Sequence, residues 1–189
     1  MIPAYLLGTF PSAVMVARSR GIDITKVGSG NPGASNISRT MGRAWGITVF
    51  VLDGLKGAIP AAVGAYLLDN RALAYGMVAA SILGHMFPVT RRFKGGKGVA
   101  TMAGSMITMH PVISAILFVV WFVTLKASKK SSVASISLIV GLPVVSLVFG
   151  LPGWEVFAMI GINALLLLRH WSNIQRLLHG TELSASRSK

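Results

Sequence analysis

The stretch Arg91-Arg92-Phe93-Lys94-Gly95-Gly96-Lys97-Gly98-Val99-Ala100-Thr101 sets cations and glycines between two apolar runs. Glycines let backbone N–H groups turn toward an anion with no Cβ in the way, and lysines at i and i+3 add mobile positive charge. Because an apolar run begins at Gly98, the loop also opens a helix whose N–H groups and positive dipole end face the same place. Lys97, with Gly95, Gly96 and Gly98, is therefore a candidate phosphate site. The G-x-x-x-x-G-K-[ST] spacing fails here, and Gly98 stands where a magnesium-binding hydroxyl would follow Lys97, so an ATPase is not indicated. Lysine and arginine also collect in the cytoplasmic loops of membrane proteins for topological reasons alone.

Two further stretches share the anion-friendly character. Gly28-Ser29-Gly30-Asn31-Pro32-Gly33-Ala34-Ser35-Asn36, with Arg39 behind it, and Lys129-Lys130-Ser131-Ser132 each precede an apolar run, where Ser132 and Ser135 can cap or donate. His170, Asn173 and Arg176 recur every three residues and trace a stripe on a helical extension of the last run. Asp53 and Lys56 lie at i and i+3 within an apolar run, hence on one helix face, and each alone would cost roughly 2.5–3.5 kcal/mol at a bilayer centre. They are expected to pair, either as a structural ion pair or to orient a ligand. His85, in Gly84-His85-Met86-Phe87-Pro88, falls just before the glycine loop. Met102, Met106 and Met109 read as packing, and Trp171 as part of an aromatic belt.

These groups must be positioned by membrane helices. With 189 residues, 53% hydrophobic and 12% charged, the chain is too apolar for an ordinary soluble domain. The formal net charge of +13 could suggest nucleic acid, but the basic residues sit in short loops between apolar runs, not on a soluble face with interleaved aromatics. The absence of cysteine removes disulfides, thiolate metal sites and a cysteine nucleophile. Met1-Ile2-Pro3-Ala4-Tyr5 has no positive n-region, so the first run is expected to be an uncleaved span, not a signal peptide.

Seven apolar runs can be drawn, at about 2–17, 46–68, 72–87, 98–109, 111–125, 133–149 and 154–168. One helix over 98–125 would run about 42 Å, too long for a ~30 Å core, and His110-Pro111 interrupts it. Read as a hairpin turning at His110, it puts every lysine and arginine except Lys56 and Arg71 on one side. The positive-inside rule then predicts an all-α integral membrane protein of seven transmembrane helices, some half-length, with the N-terminus outside and the C-terminus cytoplasmic. A single polytopic domain over 1–180 and a polar, disordered tail over 181–189 complete the expected organisation.

Taken together, the glycine stretch from Gly28 to Asn36, Asp53-Gly54-Leu55-Lys56-Gly57, Gly84-His85-Met86-Phe87-Pro88-Val89 with Phe93-Lys94-Gly95-Gly96-Lys97-Gly98-Val99-Ala100-Thr101, and Asn173-Ile174-Gln175-Arg176-Leu177-Leu178-His179-Gly180-Thr181-Glu182 resemble the bacterial acyl-phosphate:glycerol-3-phosphate acyltransferases in motif order and over nearly the whole chain. The resemblance implies a seven-span enzyme of the inner (plasma) membrane, active at the cytoplasmic face. Such an enzyme acylates position 1 of glycerol 3-phosphate from acyl phosphate, giving lysophosphatidate in the first committed step of phospholipid synthesis. By motif position it implies that Lys97, Arg39, Ser135, His170, Asn173 and Arg176 are catalytic. Gly28, Ser29, Gly30, Asn31, Gly33, Ser35, Asn36, Gly95, Gly96 and Gly98 bind phosphate, and Asp53, Lys56 and His85 support them. No metal and no cofactor are implied. The implied partners are the two substrates, membrane lipid and, transiently, the enzyme that makes acyl phosphate, with no nucleic acid and a monomeric state. Ser35 stands where the family usually has threonine, and Val89-Thr90-Arg91-Arg92 departs from a more aromatic lead-in.

Residue chemistry adds to this. The H-x-x-x-x-D pattern of other glycerolipid acyltransferases is missing, since Thr90, Ala115, Gln175 and Ser184 stand five places after the four histidines, and no G-x-S-x-G elbow occurs. An acyl phosphate is already activated, so direct attack by a hydroxyl needs no protein nucleophile. Either the substrate phosphate, titrating near ~6, or His170 would serve as base. An organic-anion transporter is the rival class, but a conduit needs polar side chains continuing across the membrane, and the outer half offers little beyond Asp69, Arg71, His110 and Glu155.

Overall fold

The computed structural model describes residues 1–185, which are helical with no strand among them. They fall into two compact units, Met1–Met109 and His110–Ala185. Four helices are long and apolar enough to cross a membrane, two in each unit.

In the first unit the run expected as one span is two short helices, α1 (Ile2–Gly8) and α2 (Ser12–Arg18). Pro11 has no N–H to continue a helix and pushes Phe10 out of the helical region, while Thr9 turns its hydroxyl onto Leu6 O at 2.7 Å. The glycine stretch opens a separate short helix, α3 (Ala34–Met41), instead of the span itself, so Arg39 is helical. The span follows as α4 (Arg43–Ala62), whose last part passes into a π-helical turn at Val63–Leu67. α5 (Arg71–Met86) is capped by Asn70, whose side chain accepts from Leu73 N at 2.9 Å. α6 (Val99–Met109) packs closely along α4, because a Cβ on Gly57 would collide with Thr101 O and one on Gly104 with Gly54 O. Ala13, Val14, Ala17, Ile24, Ile37 and Val49 form a small core where α2, α3 and α4 meet.

The second unit begins at the expected break. His110 leaves the helical region and Pro111 starts α7 (Pro111–Ser128), where its missing N–H has no carbonyl to bond in any case. α8 (Ser131–Val148) and α9 (Gly153–Arg169) follow. The expected extension of the last run is broken at His170, and a distinct amphipathic helix, α10 (Trp171–Leu178), carries Asn173 and Arg176. Residues 181–185, the first part of the polar tail, are held by a bond from Ala185 N to Lys129 O at 2.8 Å. The remainder of the expected tail lies outside the described residues.

Both long central helices contain proline, and both answer it in the same way. Pro60 cannot donate to the carbonyl of Lys56 four residues back, and Ser81 Oγ of α5 donates to that oxygen at 2.7 Å. Pro143 deprives Ile139 O in the same manner, and Asn163 Nδ2 of α9 donates to it at 2.8 Å. Without water in a hydrocarbon layer, a freed carbonyl must be met by a neighbouring helix.

Candidate active site

In the first unit, Asn36 is the hub of the 28–36 loop. It is 1% exposed, donates from Nδ2 to Ile24 O (3.2 Å) and Val27 O (3.0 Å), and accepts at Oδ1 from Ser29 N (2.9 Å) and Arg39 Nη1 (3.4 Å). Gly28 is in the left-handed region, and a Cβ there would strike Asn36 Oδ1. Gly30 N–H donates to Val27 O and Gly33 N–H to Asn31 O, while Ser29 Oγ accepts a long 3.4 Å contact from Asn31 N. The loop therefore spends much of its backbone on its own shape, and presents the buried Arg39 guanidinium beside the Ser29 turn. Ser35 is exposed on the first turn of α3.

The second glycine loop is also built differently from a free anion nest. Arg92 and Phe93 are both left-handed, which folds the chain back so that Gly95 N–H donates to Met86 O and Gly96 N–H to His85 O, each at 3.1 Å. These are last-turn carbonyls of α5, which lack partners within the helix. A Cβ on Gly95 would strike His85 O, and one on Gly96 the His85 ring. Close approach, more than anion access, thus explains these two glycines. Half-buried Lys97 and the left-handed Gly98 then lead straight into the first turn of α6.

Behind this loop sits a buried ionic cluster. Lys56 Nζ is 2.6 Å from Asp53 Oδ1, so the i, i+3 pairing read from the sequence forms. Ser12 Oγ also donates to Asp53 Oδ1, and His85 Nδ1 lies 3.4 Å from Lys56 Nζ. Ser12, Asp53, Lys56, His85, Arg91 and Gly96 share the lining of one small cleft.

In the second unit, Ser132 and Ser135 do not cap α8. Its N-cap is Lys130 with no side-chain bond, and Ser135 Oγ donates back to Ser131 O at 2.9 Å. His170 is 2% exposed and its Nδ1 lies 2.7 Å from Leu166 O. A carbonyl only accepts, so Nδ1 carries the proton and the basic lone pair of the neutral ring is on Nε2. Asn173 Nδ2 and Arg176 Nε both donate to Glu182, at 2.6 and 2.7 Å. The Glu182 side chain is only 4% exposed. Burial pushes its carboxyl up, but the bonds from Asn173 and Arg176 and the nearby Ser132 hydroxyl more than offset that and hold it below its ordinary value.

Sequence reasoning missed Glu182 and Ser12 as organising groups. A signal for the first existed, because only 5 acidic residues face 18 basic ones, so each carboxylate is in demand. Nothing local to Ser12 points to Asp53, 41 residues away.

A helical chain with spans apolar enough for a membrane, and with cationic, glycine-rich stretches ahead of its helices, is an integral membrane protein by class. The chain belongs to the family described as Glycerol-3-phosphate acyltransferase, whose profile matches residues 1–180. It is 42% identical over 184 residues to the glycerol-3-phosphate acyltransferase of Aquifex aeolicus, covering 96% of this chain and 95% of that protein. Identity to the Colwellia psychrerythraea glycerol-3-phosphate acyltransferase is 40%, with 96% and 92% covered. Its fold is similar to the crystal structure of PlsY (YgiH), an integral membrane glycerol 3-phosphate acyltransferase, in the glycerol 3-phosphate form, with a TM-score of 0.90 at 41% identity over 97% of this chain and 92% of that one. The lysophosphatidic acid form of PlsY gives a TM-score of 0.87 at 40% identity, over 96% and 91%.

Proposed function

We propose that this protein transfers an acyl group from acyl phosphate to the 1-hydroxyl of glycerol 3-phosphate, releasing lysophosphatidate and inorganic phosphate. The observation that carries the acceptor and product is the family match over 1–180, together with the likeness to PlsY in its glycerol 3-phosphate and lysophosphatidic acid forms. The donor rests on the resemblance of the motifs to enzymes that use acyl phosphate; such a donor is already activated and needs no protein nucleophile, and its phosphate gives the cationic loops a second anion to hold.

In this reading the glycerol oxygen attacks the acyl carbonyl, the new ester C–O bond forms, and the acyl C–O bond to phosphate breaks as phosphate leaves with the electron pair. The hydroxyl proton goes either to a substrate phosphate or to Nε2 of His170, the nitrogen that its bond to Leu166 O leaves basic. No covalent acyl-enzyme forms. Arg39 and Lys97 bind phosphate oxygens, with Ser29, Gly28, Gly30, Asn31, Gly33, Ser35, Gly95, Gly96 and Gly98 shaping the loops that carry them. Asn36 works from within, as the group that holds the first loop. Ser135, Asn173 and Arg176 contribute donors in the second unit. The rate comes from positioning and from charge stabilisation of the leaving phosphate.

The topology belongs to the same proposal. α1 and α2 together make the first of seven spans, the N-terminus is outside, and the C-terminus and active site are cytoplasmic, in a monomeric inner-membrane enzyme that needs no cofactor. The positive-inside asymmetry supports it. Product formation by the purified protein in detergent tests the reaction, with glycerol 3-phosphate and either palmitoyl phosphate or palmitoyl-CoA beside a Lys97→Ala control. Lysophosphatidate from the acyl phosphate alone, cut to a small residual rate in the control, is the expected result; product from palmitoyl-CoA would sink the donor assignment.

A further inference from the structure

The buried ionic cluster is joined to the Lys97 loop through one ring. His85 Nδ1 lies 3.4 Å from Lys56 Nζ and 3.7 Å from Asp53 Oδ1, and Lys56 Nζ reaches Asp53 Oδ1 at 2.6 Å. The ammonium and the carboxylate both face Nδ1, which leaves the Nε2 edge on the other side of the ring. That edge faces Gly96, where a Cβ would collide with Nε2, Cε1 and Cδ2. The His85 carbonyl accepts from Gly96 N–H, and the adjacent Met86 carbonyl from Gly95 N–H. Gly95 and Gly96 have no side chains with which to anchor themselves, so ring and carbonyls decide where the loop runs. The whole connection is buried: Ser12 is 1% exposed, Asp53 2%, Lys56 3% and His85 8%.

We propose that Ser12, Asp53, Lys56 and His85 are positioning residues, which lock the His85 ring as a buttress against Gly95 and Gly96 and thereby set the place of Lys97. Asp53 and Lys56 fix the ring by its Nδ1 edge, and Ser12 fixes the carboxylate. The cost of burying charge in the span is answered by an ordered loop one contact away, where a displacement of about 1 Å can lose about 100-fold in rate. The inference rests on the proposed role of Lys97 as a phosphate ligand, but the placement of the loop can be read without it.

Two readouts on the full-length protein in detergent test it. The variants are His85→Gln, Ser12→Ala, and Asp53→Asn combined with Lys56→Gln, which removes both charges and leaves no orphan. Amide exchange by mass spectrometry is expected to speed up about 10-fold at Gly95 and Gly96 in each, since their bonds open more often. For the wild-type reaction, kcat/KM is expected to fall between about 10- and 100-fold in His85→Gln and in the double variant, with the pH profile of kcat unchanged. Placed in a Lys97→Ala background, the same changes should cost less than about 2-fold more, because both act on one interaction. Unchanged exchange in a folded variant overturns the proposal, as does a loss that multiplies fully with Lys97→Ala. A kcat loss with an altered pH profile also overturns it, since His85 would then act on the reacting atoms. If the charge-free double variant does not fold, Ser12→Ala, which removes one hydroxyl and leaves the ion pair, decides the matter by exchange. If the wild type makes no lysophosphatidate, the functional reading fails, and exchange alone judges the positioning.

Discussion

The two units face the same difficulty and answer it with different chemistry. Each has a proline inside a long apolar helix, and each meets the freed carbonyl from a neighbouring helix, with the hydroxyl of Ser81 in one and the amide of Asn163 in the other. They differ in where charge is put. The first unit buries Asp53 and Lys56 within α4, a helix long enough to cross the membrane. The second keeps its carboxylates near helix ends, Glu155 in the first turn of α9, 3.1 Å from His110, and Glu182 beyond α10. An ion in the middle of a span is costly when alone and must be paired in place, whereas one at a helix end can be met by the donors of a neighbouring turn. The first arrangement is the one proposed above to hold the Lys97 loop in place.

The sharpest way to break this contrast is to remove one member of the buried pair. Asp53→Asn leaves Lys56 unpaired and should destabilise the first unit by about 3–5 kcal/mol, read as a large drop in the midpoint of thermal unfolding in detergent. If its midpoint stays within a few degrees of wild type, the pair is not the constraint described. Glu182→Gln, in the second unit, should cost less, about 1.5–3 kcal/mol, because it loses charge-assisted bonds from Asn173 and Arg176 at a helix end. Local protection of α10 measured by amide exchange would show the loss.

The proline repairs offer a reciprocal test of smaller size. Ser81→Ala and Asn163→Leu each leave a buried carbonyl unmet and should cost about 1–3 kcal/mol. Restoring the N–H with Pro60→Ala should rescue the first, and Pro143→Ala the second, so that each double variant is more stable than its parent single. Rescue across units, such as Pro143→Ala repairing Ser81→Ala, would contradict the assignment of partners.

The gentlest probe is pH. Glu182 is held below its ordinary value of 4.5, so its contribution is complete above that value and is lost as pH falls through the lower folded-state value. Unfolding midpoints followed from neutral pH into this acidic window should decline with a slope that Glu182→Gln flattens. No such flattening would mean that the carboxylate is not held as described.

Much of the fold could be read from the chain because its signals are local. The His110-Pro111 break, the pairing of Asp53 with Lys56 and the apolar runs all depend on neighbours within a turn or two, and each appears in the structure. The split at Phe10-Pro11 is equally local, but a single proline is easily passed over in an otherwise apolar run. The break at His170 carries no proline or glycine to announce it, so a three-residue stripe that reads as continuous helix straddles two.

The candidate residues were legible by type, while their employment was not. Composition and spacing pointed to a membrane chain with cationic, glycine-rich loops ahead of its helices. Only the tertiary structure decided that Asn36 folds its loop, that Gly95 and Gly96 serve close approach to His85, that Ser12 crosses to Asp53, and that Glu182 gathers Asn173 and Arg176. The reason is physical. A residue's capacity to donate, accept or bend is intrinsic to it, but a buried polar group takes whichever partner packing brings within about 3 Å, and that choice is made between segments far apart in the chain.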